Sequence, residues 1–515
     1  MPITGSILAT AQRHPARLAL AGEREGDRLT YAQLVTDSAK LFTAVTALHR
    51  AQQRPPSPAP ETGGVPITAV SVEDAFLAAR VVVGLSGFRA VAATIDPRWP
   101  LEHRVRVIID TGAGLVISDD TELDTALADR GWGGTVIAPS AFEQQVAAAD
   151  PDQKAGPAVR AGAEAFLLLF SSGTTSNPKA FVKTREQYRA NVAVSAAHLE
   201  PLPGVVTLAP GPVSYSLTLY AVIECLATGG SVHVADRFDP FGLAARVERE
   251  RITRVVAVPA IVQGIAAAAQ RDPAGAGAGG GVGLNRLQLV VTGGANLPAH
   301  IRDALARALP HTRLISYYGA AEIGFIGDSR DGDGTRVRVY DGIEASVRDS
   351  TGHELPEGEP GTLWIRAAAC SDGYVAGTTS EQLVWAGGWA TVHDQARMVD
   401  GQLELLGRAG DIAITGGHKV SLIEVERAFA QLGRDAVAVA LPHDTLGSVI
   451  GLVIEGAAGQ VPSRERLRDI ATAQLAPQYV PSRWFRLEEL PRTVGGKVRR
   501  GEAAELAAAG RAERL

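Results

Sequence analysis

Short apolar runs alternate with amphipathic segments along most of the chain. Residues 165–169 (AFLLL) and 255–258 are unbroken apolar stretches, and 287–291 is apolar but for Gln288, the pattern of strands covered on both faces. Residues 299–309 follow the last of these with apolar positions at helical spacing. This alternation predicts a largely parallel α/β sheet with helices on both faces. After about Gly334 the pattern shortens into strand-sized segments between turns, at 343–348, 361–366 and 402–406. Near Gly407 it changes again, to a helical segment at 421–431 and strands at 437–441 and 449–454. The expected architecture is a large N-terminal α/β domain over residues 1–408, with parallel-sheet subdomains and a small β subdomain. A small α+β domain over residues 409–515 follows it.

Two segments interrupt the pattern. Residues 51–66, rich in Pro, Gln and Gly, read as a surface loop. Residues 272–283 (DPAGAGAGGGVG) read as a flexible loop. A literal G-x-G-x-x-G at Gly275, Gly277 and Gly280 falls inside the second. No strand leads into it, so it is not a dinucleotide fingerprint.

Composition narrows the function classes. At 515 residues the chain is too long for one simple core. A hydrophobic share of 46% and a charged share of 21% are those of a globular protein. A net charge of −6 argues against a nucleic-acid partner. Cys225 and Cys370 are the only cysteines and lie far apart, which excludes a disulfide framework and fits a reducing cytoplasm. The start Met1-Pro-Ile-Thr-Gly5 has no signal pattern, and no apolar run reaches the roughly 18 residues of a membrane span. A cytoplasmic protein with no membrane partner is expected.

The segment Phe170-Ser-Ser-Gly-Thr-Thr-Ser-Asn-Pro-Lys-Ala180 carries the first chemistry. Hydroxyls and backbone N–H groups on a flexible turn after a strand can wrap a polyphosphate, and Lys179 adds a positive charge. It is not a Walker A motif: Gly173 lies six residues before Lys179, and Pro178 precedes the lysine. Alone, such a turn is as often just a turn. Four further segments share its logic. Tyr317-Tyr318-Gly319-Ala320-Ala321-Glu322 places an aromatic ring and a carboxylate in a tight turn after Leu314-Ile315. The ring can stack on a base and the carboxylate can hold Mg²⁺, or the pair is a core tyrosine and a surface glutamate. Asp394, at the end of Gly388-Trp389-Ala390-Thr391-Val392-His393, can accept two hydrogen bonds from ribose. Leu406-Gly407-Arg408-Ala409-Gly410-Asp411 precedes Thr415-Gly416-Gly417-His418-Lys419-Val420. Lys497 follows a Gly-Gly turn, which leaves it exposed and able to reach another domain's site.

In this order and at these spacings the five segments resemble the ANL superfamily of adenylate-forming enzymes: acyl-CoA synthetases, adenylation domains of peptide synthetases, and luciferases. The resemblance covers about residues 15–505 and is closest to short, stand-alone bacterial acyl-CoA synthetase-like proteins. It implies ATP and Mg²⁺ as cofactors and a mobile C-terminal domain. By resemblance Ser171, Ser172, Gly173, Thr174, Thr175 and Lys179 bind the ATP phosphates. Gly293, Gly294 and Ala295 line the adenine and acyl sites, and Tyr317, Tyr318 and Gly319 form the adenine turn, with Tyr318 the stacking ring. Glu322 is the Mg²⁺ carboxylate, Asp394 and Arg408 bind the ribose, and Lys497 is the catalytic lysine of adenylation. Gly407 to Asp411 matches the hinge, and Gly416, Gly417, His418 and Lys419 match part of the face presented to the thiol.

The implied reaction activates a carboxylic acid as acyl-AMP with release of pyrophosphate, then transfers the acyl group to CoA. Transfer to a carrier-protein phosphopantetheine thiol or to an amine, or adenylation of nitrite in a diazotisation, are the alternatives. Several positions depart from the family pattern. Ser176 and Ala180 replace glycines, Ala321 replaces a threonine, Val392-His393 replaces Thr-Gly, and Gly410 replaces Asp or Lys at the hinge. Val213, Ser214, Tyr215, Leu219, Tyr220, Gly293 and Ala320 are expected to line the acyl pocket. Tyr215-Ser216 stands where amino-acid-activating relatives carry an aspartate, and residues 208–226 hold one acid, Glu224. Burying an unpaired ammonium is costly, so an acyl or aryl acid is expected rather than an α-amino acid. Tyr215, Tyr220 and Tyr317 either wall that pocket or belong to the core.

Overall fold

The computed structural model describes residues 3–151, 156–171, 178–271, 283–295, 297–330, 332, 334–415, 418–443, 446–475, 477–493 and 496–515. The apolar runs read as strands are strands, with ends shifted by at most two residues. They are Ala165–Phe170, Arg254–Ala257, Leu289–Thr292, Glu344–Arg348, Gly361–Arg366, Gln402–Arg408, Ala436–His443 and Gly447–Glu455. The helix Ala299–Ala308 follows Leu289–Thr292 as expected.

The helical segment expected at 421–431 is shorter. Ser421 caps an α-helix, Leu422–Arg427, by accepting from Glu424 N at 3.2 Å. A separate 3₁₀ turn, Ala430–Leu432, follows. Phe429, between the two pieces, is fully buried edge-on to Trp484 at 5.9 Å, so core packing overrides helix continuation.

Three sheets organise the described chain. The first runs Thr135–Ile137, Leu115–Ile117, Ile67–Val70, Val91–Thr94, Ala165–Phe170, Ala180–Thr184. Its strands are parallel except for the last pair, where Phe170 faces Ala180 in an antiparallel hairpin. That hairpin closes the Ser/Thr-rich loop. The second sheet has thirteen strands. Its parallel part includes Val206–Ala209, Arg254–Ala257, Leu289–Thr292 and Arg313–Ala320. At residues 321–323 the chain reverses, and Gly324–Arg330 pairs antiparallel with Arg313–Ala320. The short strands after Gly334 continue from there as an antiparallel extension of the same sheet. They are joined to the parallel part rather than set apart from it.

The third sheet takes its six strands from residues 412–514 alone. Two apolar clusters drawn from residues 413–512 cover it. Leu452, Ile454 and Leu467 are fully buried there, at about 1.5–3 kcal/mol each. The architecture is thus a large N-terminal α/β domain followed by a smaller domain with its own sheet. Sites on parallel sheets gather at the carboxyl ends of the strands. Residues 171, 293–295 and 321–322 all lie at such ends. Among the described residues no helix is long and apolar enough to cross a membrane.

Candidate active site

The loop after Ala165–Phe170 is anchored at both ends. Ser171 N donates to Lys179 O at 2.8 Å, and Lys179 N returns a bond to Ser171 Oγ at 3.3 Å. The Lys179 ammonium pairs with Glu381 and sits 5.5 Å from the Tyr374 ring centre. Ser172, Gly173, Thr174 and Thr175 lie outside the described residues.

Tyr317 and Tyr318 belong to the strand Arg313–Ala320, which runs through Gly319 and Ala320. The tight turn, placed by the sequence pattern over residues 317–322, is therefore confined to 321–323. Neighbouring residues on a strand point to opposite faces, so the two rings part company. Tyr317 lies across Gly293, where a Cβ would stand 2.5 Å from its ring, so only glycine fits. Gly294 and Ala295 are exposed beyond the end of Leu289–Thr292. Tyr318 points to the extension of the sheet, where its hydroxyl donates to Asp394 Oδ2 at 2.7 Å. Arg408 Nε reaches Asp394 Oδ1 at 3.3 Å. Asp394 and Arg408 face each other across paired strands, so register alone brings them together. Burial and the Asp394 carboxylate hold the Tyr318 phenol far above its ordinary pKa. His393, in the place of the family's glycine, has φ of 64°, the left-handed region that histidine tolerates better than most side chains.

Glu322 sits in the turn at 6% exposure. Tyr374 Oη donates to its Oε1 at 3.1 Å. Its backbone carbonyl accepts from Ser371 N at 2.8 Å and from Lys183 Nζ at 2.7 Å. Lys183 also donates to Ala369 O at 2.6 Å. Its side chain is 1% exposed, and burial lowers its pKa to about 8.

Lys497 reaches the same neighbourhood from the small domain. Thr493 N donates to Lys497 O at 2.7 Å, and Lys497 N to Thr493 Oγ1 at 3.1 Å, closing its turn. Gly496 faces Ala260 at the start of the helix Pro259–Arg271, with room of 3.5 Å for a Cβ. The side chain is exposed, with protein on several sides. Desolvation by the surrounding protein lowers its pKa, Arg408 and Arg500 add to that, and Asp394 and Asp411 oppose it. These five groups thus share one electrostatic environment.

The linking segment is stapled by Asp411. Arg408 N donates to its Oδ2 at 2.8 Å and Arg500 Nε to its Oδ1 at 2.6 Å, while Arg500 also pairs with Glu426. Gly407 has φ of 100°, and a Cβ there would stand 2.5 Å from Ile423 Cδ1. Gly416 and Gly417 lie outside the described residues. Of His418 and Lys419 the backbone is described, in the strand His418–Ser421.

The residues expected around an acyl group separate into two sets. Tyr220 donates to Ala321 O at 2.7 Å, and both Tyr220 and Tyr317 pack edge-on to Phe325. Val213 and Leu219 are buried with them in one cluster, Ser214 is half-buried, and Ala320 packs into the neighbouring cluster. Tyr215 goes elsewhere: its phenol faces Asp96 and Trp99. Asp96 is itself held by Arg98 through two bonds of 2.8 and 2.9 Å. Glu224 is not in the pocket either; it is buried against Arg254 at 2.9 Å.

Sequence reasoning missed Lys183, Tyr374, Glu381 and Asp96. Asp96 had a signal, since it follows the end of the strand Val91–Thr94. The others had none, because their partners are distant in sequence. A cavity of about 430 Å³, lined by His198, Arg330, Arg338 and Tyr340 among others, shares no residue with this site.

Tyr318, Asp394, Arg408 and Lys497 thus lie in one neighbourhood, with Glu322 in the turn beyond the strand of Tyr318. Residues 65–375 match the family described as AMP-binding enzyme. The chain belongs to that family, and with it to the ANL superfamily of adenylate-forming enzymes. It is 25% identical over 509 residues to an uncharacterized acyl–CoA ligase, YhfT, of Bacillus subtilis, covering 97% of each chain. It is 26% identical over 507 residues to a feruloyl-CoA synthase of an Amycolatopsis species, covering 96% of this chain and 95% of that one. Its fold matches the ATP-bound structure of MatB from Rhodopseudomonas palustris with a TM-score of 0.83, at 21% identity and 99% coverage of both chains.

Proposed function

We propose that the protein activates a carboxylic acid with ATP as an acyl-adenylate, releasing pyrophosphate, and then passes the acyl group to the thiol of CoA. The convergence of Tyr318, Asp394, Arg408 and Lys497 at one strand end carries this reading. In it, the loop from Ser171 to Lys179 takes the phosphates, the Tyr318 ring backs the adenine, and Asp394 takes ribose hydroxyls while Arg408 fixes its orientation. Small-domain residues 409–515 pivot on the segment from Gly407 to Asp411, and residues 416–419 serve the thiol half-reaction.

Attack of a carboxylate oxygen on the α-phosphorus forms one P–O bond and breaks the bond to pyrophosphate. Two anions meet, so the site must offset charge in a confined space. Lys497 supplies a positive charge and holds the two reactants in line. Glu322 fits a hard cation: it is nearly buried, and Tyr374 satisfies one oxygen, leaving Oε2 for an ion. Mg²⁺ is typically held by one or two carboxylates with phosphates and waters, so no denser cluster is needed, and none is found among the described residues. When bound there, Mg²⁺ offsets phosphate charge.

Both acids nearest the pocket segment are already neutralised, Glu224 by Arg254 and Asp96 by Arg98. Among the described residues neither offers an unpaired carboxylate to an α-ammonium, and Glu322, the other acid nearby, is assigned to the cation, which favours an acyl or aryl acid against Tyr220, Tyr317 and Phe325. The acyl–CoA ligase and feruloyl-CoA synthase relatives support the same class. Pyrophosphate release over an acid panel, with and without CoA, tests the proposal, with thioester read as loss of free thiol. Acid-dependent release with CoA consumption is expected. Release followed by product only with a carrier protein or an amine would replace CoA as acceptor, and no acid-dependent release would overturn the reading.

A further inference from the structure

Lys183 is a cation where the first sheet is packed on both faces. It lies on the strand Ala180–Thr184, and its side chain is 1% exposed. A buried ammonium is costly unless hydrogen-bonded. No carboxylate pairs with Lys183 among its described contacts; it spends two of its three donors on backbone carbonyls, Glu322 at 2.7 Å and Ala369 at 2.6 Å. Both carbonyls lie in segments that shape the candidate metal site. Glu322 carries the carboxylate, and Ala369 opens the stretch whose Ser371 N–H also binds Glu322 O and whose Tyr374 hydroxyl binds Glu322 Oε1. Lys183 therefore sits behind the turn and joins its two halves. A core strand there needs only an apolar side chain; the lysine adds directed bonds to two pieces of irregular backbone.

Resting on the function proposed above, we infer that Lys183 is a positioning residue of the adenylation site. By holding the carbonyls of Glu322 and Ala369, it fixes the turn that aims the Glu322 carboxylate at the metal–triphosphate. It touches neither substrate nor cation and acts through Glu322.

The test compares Lys183→Met, Lys183→Gln and Lys183→Arg with the wild-type chain. Calorimetric titration measures ATP affinity with excess Mg²⁺ and again in EDTA, and thermal unfolding is recorded for each. Loss of a group that orients a metal ligand typically weakens metal binding by roughly 10- to 100-fold. The expected result is a Kd for Mg·ATP raised about tenfold in Lys183→Met and Lys183→Gln, with metal-free ATP binding within about twofold of wild type. Lys183→Arg, which keeps charge and donors, is expected to recover Mg·ATP affinity to within about threefold. Three results would overturn the inference: equal weakening with and without metal, an arginine variant no better than methionine, or failure of all three to fold, which would make the lysine purely structural. The titration needs no turnover. A wild-type chain that binds Mg·ATP but shows no acid-dependent pyrophosphate release would sink the proposed function and leave the role of Lys183 to be decided on its own.

Discussion

Replacing Tyr318 by Phe removes one oxygen atom and leaves the ring in place. That oxygen donates to Asp394 Oδ2 at 2.7 Å. A hydrogen bond to a charged group is worth about 1.5–3 kcal/mol net. Two features lower the figure here. Arg408 still reaches the other carboxylate oxygen at 3.3 Å, and the Asp394 side chain is 18% exposed, so water replaces part of what is lost. The expected loss in ATP binding is about 1–1.5 kcal/mol, or roughly 5- to 13-fold in the KM for ATP. On the proposed function, the contact steadies the residue assigned to the ribose in ground and transition states alike. The kcat is therefore expected to stay within about twofold. ATP–pyrophosphate exchange at saturating acid, with ATP varied, measures both, and thermal unfolding checks that the buried ring still packs. A KM for ATP within twofold of wild type in a folded variant would refute the reasoning. So would a fall in kcat at constant KM, which would place the hydroxyl in the transition state instead.

Lys497→Ala is expected to lower exchange by about two to three decades. Its Kd for Mg·ATP should remain within a few-fold of wild type, and near wild-type exchange would remove Lys497 from the chemistry. Arg254→Met leaves the Glu224 carboxylate buried without its cation, since both side chains are almost wholly enclosed. Breaking such a pair costs about 3–5 kcal/mol, so a clear drop in the denaturation midpoint is expected, and an unchanged midpoint would contradict the pairing.

The parallel strands were legible because a strand covered on both faces must be largely apolar, as Ala165–Phe170 and Leu289–Thr292 are. The antiparallel continuation of the second sheet was not. Local pattern finds Gly361–Arg366 but says nothing of which sheet it joins, and that depends on the reversal at residues 321–323. Asp394 and Arg408 were identified by resemblance, and strand register then explains their meeting. Lys183 and Arg254 escaped notice for one reason. A lysine or arginine in a sequence is read as exposed, and the carbonyls that satisfy Lys183 lie 139 and 186 residues away. The side chains of Tyr215 and Tyr220 look equivalent on paper. The helix Ser216–Thr228 starts between them, so one turns to Asp96 and the other to Ala321.

The contact between Lys179 and Glu381 has a consequence for selectivity. On the proposed reading Lys179 already has an anionic partner, a carboxylate tethered to the protein. Nucleotide binding is then an exchange of one negative partner for another. A weak monovalent anion gains little from displacing Glu381, because it meets a competitor of equal charge that never diffuses away. A triphosphate brings several charges and other contacts, and wins the exchange. The released carboxylate, 43% exposed, returns to water at little cost. The glutamate thus serves to hold Lys179 beside the Tyr374 ring rather than to bar the site.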